Sequence, residues 1–197
     1  YHLNIGQPDI ATTPYALEAV KNYDEKVIKY THSAGTLSYR KKLCEYYDRL
    51  NIHVTPDDII VTNGASEALS IAFQTIMDPD DEIVIPEPFY ANYNGFAQTA
   101  GVRVRPIYSE INNGFALPPI EDFEKAITEH TKAILICNPN NPTGYLYSEE
   151  EMERLRQIIL KYDLYLISDE VYREFCYDGS VHHSAMSLKG VDDNVIL

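Results

Sequence analysis

Residues 132–144 read KAILICNPNNPTG, a short apolar run followed at once by a loop of asparagines and prolines. An apolar run of this length that ends in turn residues is typical of a strand buried on both faces. Pro142 restricts the preceding Asn141 to extended backbone, so the Asn141 amide would be presented with little freedom. From these residues alone two interpretations stay open. The amide donates to a ligand oxygen, or the asparagines bond their own backbone in a structural turn.

On both sides of this segment, apolar runs alternate with helical patterns along most of the chain. Strands are predicted at 57–64, 81–88, 102–108, 132–137, 164–168 and 194–197. Helices are predicted at 65–77, 90–101, 119–129 and 149–162, the last with a capping box of Ser148 and Glu151. This alternation predicts an α/β fold, a mostly parallel sheet with helices on both faces.

The first 33 residues do not follow the alternation. They predict an extended arm and then a short helix that begins at Thr13-Pro14, with proline at the first helical position. The chain is therefore divided into an N-terminal segment, 1–33, and the sheet domain, 34–197.

Composition excludes several classes of function. The net charge of −14 argues against nucleic acid as a partner, since binding to phosphates requires a basic face. No apolar run approaches the ~20 residues of a membrane span, and no export signal is visible. Three distant cysteines, Cys44, Cys137 and Cys176, indicate reduced thiols and a cytoplasmic location. No metal site is predicted, and His182-His183 is interpreted as a surface turn because no carboxylate or cysteine lies at ligand spacing.

Ligands of open α/β sheets bind at the carboxyl ends of the strands, so the loops there carry the candidate residues. Gly64, Ala65 and Ser66 lead directly into a helix, where free N–H groups attract an anion, although a plain helix cap has the same sequence. Phe89 and Tyr90 follow the next strand. Either ring could lie flat on a planar ligand or pack against the neighbouring helix.

The strand 164–168 leads into Asp169, with Tyr172 close behind. A carboxylate at the end of a buried strand is unfavourable unless it is paired, so Asp169 either caps a helix or faces a ligand cation. Together the strand ends offer a phosphate site, a ring contact, a partner for a ring oxygen near Asn141, and an anion for a cationic nitrogen. Pyridoxal phosphate has all of these groups.

These motifs resemble those of the class I/II aminotransferases, the aspartate aminotransferase-like group of fold-type I pyridoxal-phosphate enzymes. The matching stretches are LNIGQPD (3–9), KYTHSAGTLSYRKKL (29–43), VTNGASEAL (61–69), IPEPFYANY (85–93), NPNNPTG (138–144) and SDEVY (168–172). The resemblance implies that the Gly64-Ala65-Ser66 turn binds the cofactor phosphate. It also implies that Tyr90 stacks on the pyridine ring.

The resemblance implies further roles for five residues. Asn141 and Tyr172 would hydrogen-bond the phenolate oxygen of the ring, and Asp169 would pair with the protonated ring nitrogen. Tyr30 would reach the phosphate of a neighbouring subunit, which implies a homodimer. Gly6 would close on the substrate carboxylate.

The implied activity moves an amino group between an L-amino acid, with aspartate preferred, and a 2-oxo acid. The resemblance places the lysine that bonds covalently to the cofactor beyond Leu197. The segment 34–197 is therefore expected to be the N-terminal part of the cofactor domain, and the chain alone is expected to be inactive. Two alternatives stay open: another fold-type I enzyme, such as a carbon–sulfur lyase or a cyclopropane-forming synthase, and a non-catalytic cofactor-binding or regulatory module.

Overall fold

Five parallel strands form the central sheet in the computed structural model, which describes residues 6–197. The strands are β1 (Glu82–Glu87), β2 (Arg103–Tyr108), β3 (Thr131–Cys137), β4 (Tyr165–Asp169) and β5 (Val195–Ile196). Their order across the sheet is β2-β1-β3-β4-β5, and every neighbouring pair is parallel. The predicted α/β fold is confirmed. The chain runs outward from β1 to β2 and then returns to the other side of β1, so a topological switch point lies between β1 and β3.

Helices cover both faces of this sheet. The helices of residues 33–197 are α2 (Leu37–Asp48), α3 (Ala65–Ile76), α4 (Asn92–Ala100), α5 (Ile120–Ala126) and α6 (Glu149–Tyr162). Buried side chains of α3 and α4 belong to one hydrophobic core, and those of α5 and α6 belong to the other. Four of the five helices match predicted ones, with α5 shorter than expected. The α2 helix was not predicted.

The alternation of side chains along β3 connects the two cores. Ile134 and Ile136 pack with Leu155 of α6 on one face, whereas Leu135 packs with Phe73 of α3 on the other. All five side chains are at most 1% exposed. Full burial of an aliphatic or aromatic side chain stabilises a fold by ~1.5–3 kcal/mol, so the apolar run before the asparagine loop fixes β3 in the centre of the sheet.

The strand predicted at 57–64 is wrong. A short 3₁₀ helix, Pro56–Asp58, occupies its start, and the residues after it pair with no strand among the described residues. Ile59 has extended backbone, but Ile60 is 63% exposed and the Val61 amide donates to the carbonyl of Ala34. An apolar segment forms a strand only where a neighbouring strand provides hydrogen-bond partners for its backbone N–H and C=O groups.

The predicted capping box at the start of α6 is confirmed. The Ser148 hydroxyl accepts from the Glu151 amide at 3.2 Å, and the Glu151 carboxylate accepts from the Ser148 amide at 2.8 Å. Glu151 is only 4% exposed and also accepts from the Leu117 amide and the Tyr145 hydroxyl. One carboxylate therefore fixes the helix start and the segment before α5.

The described residues from Gly6 to His32 form one compact unit, and Ser33–Leu197 form the other. Within the first unit α1 spans Pro14–Lys21, with proline in its first turn as predicted. Part of the LNIGQPD motif lies outside the described residues. The division into an arm with a small-domain segment and a cofactor domain stays a prediction. None of the described helices combines the length and apolarity needed to cross a membrane.

We expect Glu151→Ala to lower the free energy of unfolding by about 1–3 kcal/mol, because it leaves buried donors without their acceptor. Urea denaturation followed by circular dichroism measures this change. Glu150→Ala is the matched control, since Glu150 is exposed in the same turn, and we expect a change within about 0.5 kcal/mol. Equal effects of the two substitutions would contradict the role given to Glu151.

Candidate functional site

The loops after β3 and β4 leave the sheet side by side. Cys137 and Asp169 are paired in the register of the two strands, and the Asn138 amide donates to the Asp169 carbonyl at 2.9 Å. Asn140 reaches across the switch point, where its side-chain amide donates to the Pro88 carbonyl at 3.1 Å. The loops after β1, β3 and β4 therefore converge at the carboxyl edge of the sheet, where open α/β proteins bind ligands.

The three asparagines of NPNNPTG have different surroundings. Asn138 is fully buried, and its side chain bonds the His183 carbonyl and the Tyr147 amide. Asn140 bonds the Thr143 hydroxyl as well as the β1 loop. Among the described residues no hydrogen-bond partner of the Asn141 side chain is found. Asn138 and Asn140 therefore have structural roles, but neither side chain bonds the backbone of its own turn as that interpretation predicted. The third asparagine, Asn141, keeps its amide available.

Asp169 lies at the end of β4 with its carboxylate held from two sides. One oxygen accepts from the Tyr93 hydroxyl at 2.8 Å, and the other accepts from the Val171 amide at 3.3 Å. No Lys, Arg or His of the described residues forms an ion pair with it. The helix-cap interpretation does not apply, because no α-helix follows β4. A fixed, partly buried carboxylate without a cationic partner suits a cationic ligand atom.

Tyr93, which sequence reasoning missed, connects Tyr90 with Asp169. Its ring is fully buried and meets the Tyr90 ring edge-on, with 5.5 Å between centroids. Burial raises the pKa of the Tyr93 hydroxyl, so it stays protonated and donates to Asp169. The available signal was spacing, because residues three apart share one side of a helical turn.

The turn before α3 joins a glycine with positive φ to the start of a helix. Gly64 has φ +78°, a left-handed value that favours glycine, although a Cβ there would meet no atom within 4 Å. Ala65 begins the helix, whose first amides have no partner within it. Ser66 is exposed. Ala65 and Asp169 both line a cavity of about 330 Å³, but Tyr90, Asn141 and Tyr172 do not.

The other predicted residues are less closely connected. Tyr172 is 39% exposed and meets the Phe175 ring edge-on at 6.0 Å. No hydrogen bond joins Tyr172 to Asn141 or Asp169 among the described residues. Gly6 and Tyr30 belong to the first unit, and both are exposed there.

A buried polar network that sequence reasoning also missed lies behind Asp169. The side chain of Glu170 is only 1% exposed. Its carboxylate accepts hydrogen bonds from the Ser168 and Ser184 hydroxyls and from the Ala185 amide. Its second oxygen pairs with Arg173 at 2.7 Å. The surface-turn interpretation is wrong for His182, whose side chain is only 12% exposed beside Glu170. Only the fold brings His182 to this position, so no local pattern indicated it.

Comparison with known proteins agrees with this architecture. A family model described as Aminotransferase class I and II matches residues 1–197. The aspartate aminotransferase of Bacillus subtilis is 39% identical over 190 residues, 94% of this chain and 48% of that protein. The aspartate/prephenate aminotransferase of Thermus thermophilus is 37% identical over 179 residues, 90% of this chain and 46% of that protein.

A solved aromatic aminotransferase from Pyrococcus horikoshii superposes with a TM-score of 0.91 at 29% identity, over 97% of this chain and 52% of that one. Fold and sequence together define the fold-type I α/β class of proteins. The chain belongs to the class I and II aminotransferase family. It spans about half the length of the curated relatives it matches.

We expect Tyr93→Phe to lower the free energy of unfolding by about 1 kcal/mol, because the Asp169 carboxylate loses a hydrogen bond and the rest of the ring is kept. Thermal and urea unfolding measure the change. Tyr90→Phe is the control: its hydroxyl contacts exposed Asn92, and we expect a change within about 0.5 kcal/mol. A neutral Tyr93→Phe would show that the contact with Asp169 contributes no stability.

A second prediction concerns pH. Burial lowers the pKa of His182 below its ordinary 6.5, against the opposing effect of Glu170, while Arg173 and His183 also lower it. Neutral His182 therefore contributes stability that is full above pH ~6.5 and is lost as pH falls through the folded-state pKa. On acidification from about pH 8 to pH 5, the free energy of unfolding should fall more in the unmodified protein than in His182→Gln. A difference between the two proteins that stays constant over this range would contradict it.

Proposed function

We propose that this chain forms the cofactor-holding part of a pyridoxal-phosphate-dependent aminotransferase that moves an amino group between an L-amino acid and a 2-oxo acid. The observation that carries the proposal is the Asp169 carboxylate, which is held at the carboxyl edge of the sheet without a cationic partner among the described residues. A protonated pyridine nitrogen is a cation that such a carboxylate can pair with.

The neighbouring residues support the same ligand. The Asn141 amide keeps its donor available on the adjacent loop, and Asn138 and Asn140 fix that loop by hydrogen bonds. We assign Asn141 and Tyr172 to the phenolate oxygen of the ring, and Asp169 to its nitrogen. When bound, the cofactor supplies an electron sink for the bonds of the substrate α-carbon. The part of Asp169 is to keep the ring nitrogen protonated.

The phosphate and the ring face are assigned to two further loops. The first amides of α3, at Gly64, Ala65 and Ser66, lie at the positive end of a 12-residue helix and suit a phosphate. Tyr90 is about one-third exposed and follows β1 at the switch point, where a planar ring could lie against it. These contacts would hold an anion in a chain of net charge −14 through local dipoles rather than through the overall field.

The proposal extends to substrate and assembly. Aspartate is the proposed amino donor, supported by the aspartate aminotransferases among the relatives, and Gly6 is assigned to the substrate carboxylate. A homodimer, in which Tyr30 contacts the phosphate bound to the neighbouring subunit, and a cytoplasmic location are part of the proposal. Apolar side chains of the first unit, such as Tyr15 and Ile28, are 84% exposed and would suit a subunit contact.

The test uses the protein produced from its complete coding sequence, supplied with pyridoxal phosphate, L-aspartate and 2-oxoglutarate. Glutamate formation in step with aspartate loss is the expected result. Release of ammonia and a 2-oxo acid without glutamate would instead indicate a lyase, and cofactor binding without turnover of any amino acid would indicate a binding module. For residues 1–197 alone we expect no turnover and no residue to which borohydride attaches the cofactor.

Asp169→Asn should reduce turnover at least about a hundredfold, because the neutral amide removes the charge that pairs with the ring nitrogen. This factor corresponds to ~3 kcal/mol, the lower end of the range for removing one member of a buried ion pair. Steady-state rates at saturating cofactor measure it. Asp178→Asn is the control: Asp178 is exposed with φ 56°, which asparagine tolerates, and its rate should not change. Equal turnover of the two variants would exclude the role of Asp169.

A further inference from the structure

His182 contacts both loops that carry the proposed ring contacts. Its Nε2 lies 3.1 Å from the Asn138 carbonyl oxygen and 3.5 Å from a carboxylate oxygen of Glu170. Asn138 precedes Asn141 by three residues in one loop, and Glu170 directly follows Asp169 in the other. One imidazole nitrogen thus lies between the two segments whose spacing sets the width of the proposed cofactor site.

The Asn138 end of this contact is rigid. Asn138 is 0% exposed, its amide bonds Asp169, and its side chain bonds His183 and Tyr147. Its carbonyl oxygen lies within hydrogen-bond distance of His182 Nε2. All four polar groups of this residue are therefore engaged, and three of the four contacts are with residues outside its own strand and the neighbouring one.

The Glu170 end is equally constrained. The carboxylate accepts three hydrogen bonds on one oxygen and an ion pair with Arg173 on the other. Ser184 and Ala185, two of those donors, lie two and three residues after His182. The segment 182–185 thus contacts the β4 loop through backbone and side chain, and the β3 loop through the histidine.

A carbonyl oxygen only accepts, so Nε2 must carry a proton for the 3.1 Å contact to be a hydrogen bond. The neutral Nε2–H tautomer meets that requirement. The same N–H faces the Glu170 carboxylate, an acceptor as well, so both neighbours favour the proton on this nitrogen.

We propose that His182 is a positioning residue that ties the Asn138–Asn141 loop to the Asp169–Tyr172 loop through its Nε2–H, and so holds the cofactor contacts at their spacing. Its consequence for the cofactor rests on the proposed function. The tie itself does not, since it is a property of the protein without ligand. Removal of the N–H leaves a buried carbonyl oxygen without its donor and takes away one of the contacts that hold the two loops together.

Three variants of the protein made from its complete coding sequence test the tie. His182→Leu removes the donor and keeps bulk. His182→Gln places an amide N–H at similar reach, and His182→Asn keeps an amide that is too short, which covers the case in which the leucine variant does not fold. His183→Gln is the matched control, because Asn138 bonds the His183 backbone rather than its ring.

The first readout is amide hydrogen exchange without cofactor. In His182→Leu and His182→Asn, the amides of Tyr147 and Asn138 should exchange about tenfold faster, because they bond across the tied loops. In His182→Gln and His183→Gln they should exchange as in the unmodified protein. Unchanged protection in the leucine and asparagine variants would overturn the proposal, and so would a glutamine variant that exchanges as fast as they do.

The second readout is the dissociation constant of pyridoxal phosphate, measured by absorbance titration. We expect about tenfold weaker binding in His182→Leu and His182→Asn, which is ~1.4 kcal/mol, and recovery in His182→Gln. If the unmodified protein binds no cofactor, the proposed function fails. The hydrogen-exchange result then still tests whether His182 holds the two loops together. If the protein binds the cofactor and all variants bind it equally, the function stands and the positioning role is overturned.

Discussion

The hydrogen bond from the Asn138 amide to the Asp169 carbonyl extends the pairing of β3 and β4 one residue past the buried ladder. From Ala133 to Cys137 every residue of β3 is buried and none carries a charged, hydroxyl or amide side chain, so asparagines follow only where the strand leaves the sheet. At that point a fully buried asparagine uses all its polar groups to fix the exit of the loop. The arrangement of the carboxyl edge depends on this junction.

The carboxylates on the two sides of this junction have different surroundings. Behind it, Glu170 pairs with Arg173 and accepts from Ser184 in a buried network that His182 also contacts. In front of it, Asp169 is held by Tyr93 but has no cation among the described residues. Burial of a charge is tolerated only with compensation, so the contrast separates the carboxylate with an ion pair from the one without a cationic partner. Asp169 and Glu170 are adjacent in the sequence, and their residue types alone do not show which of them has a cationic partner.

Prediction from sequence worked where the signal was local and periodic. The apolar runs of β1, β3 and β4, the helical spacing of α3 and the Ser148–Glu151 capping box all appear in the structure close to their predicted positions. It failed where a segment needs a distant partner. Residues 57–64 have the composition of a strand, but the ladder hydrogen bonds that define one must come from elsewhere in the chain. The structural contacts of Asn138 and Asn140 were likewise not predicted, because their partners His183, Tyr147 and Pro88 lie elsewhere in the chain.

By itself the sequence determined the α/β class, the loops that carry the polar residues, and the family resemblance that its motifs express. These properties follow from hydrophobic periodicity, turn chemistry and spacing, which act over a few residues. Three features depend on tertiary contacts: the strand order with its switch point between β1 and β3, the contact of Tyr93 with Asp169, and the burial of His182 between two loops. Those contacts join residues 44 to 76 positions apart, and side chains so distant along the chain meet only after the sheet has formed.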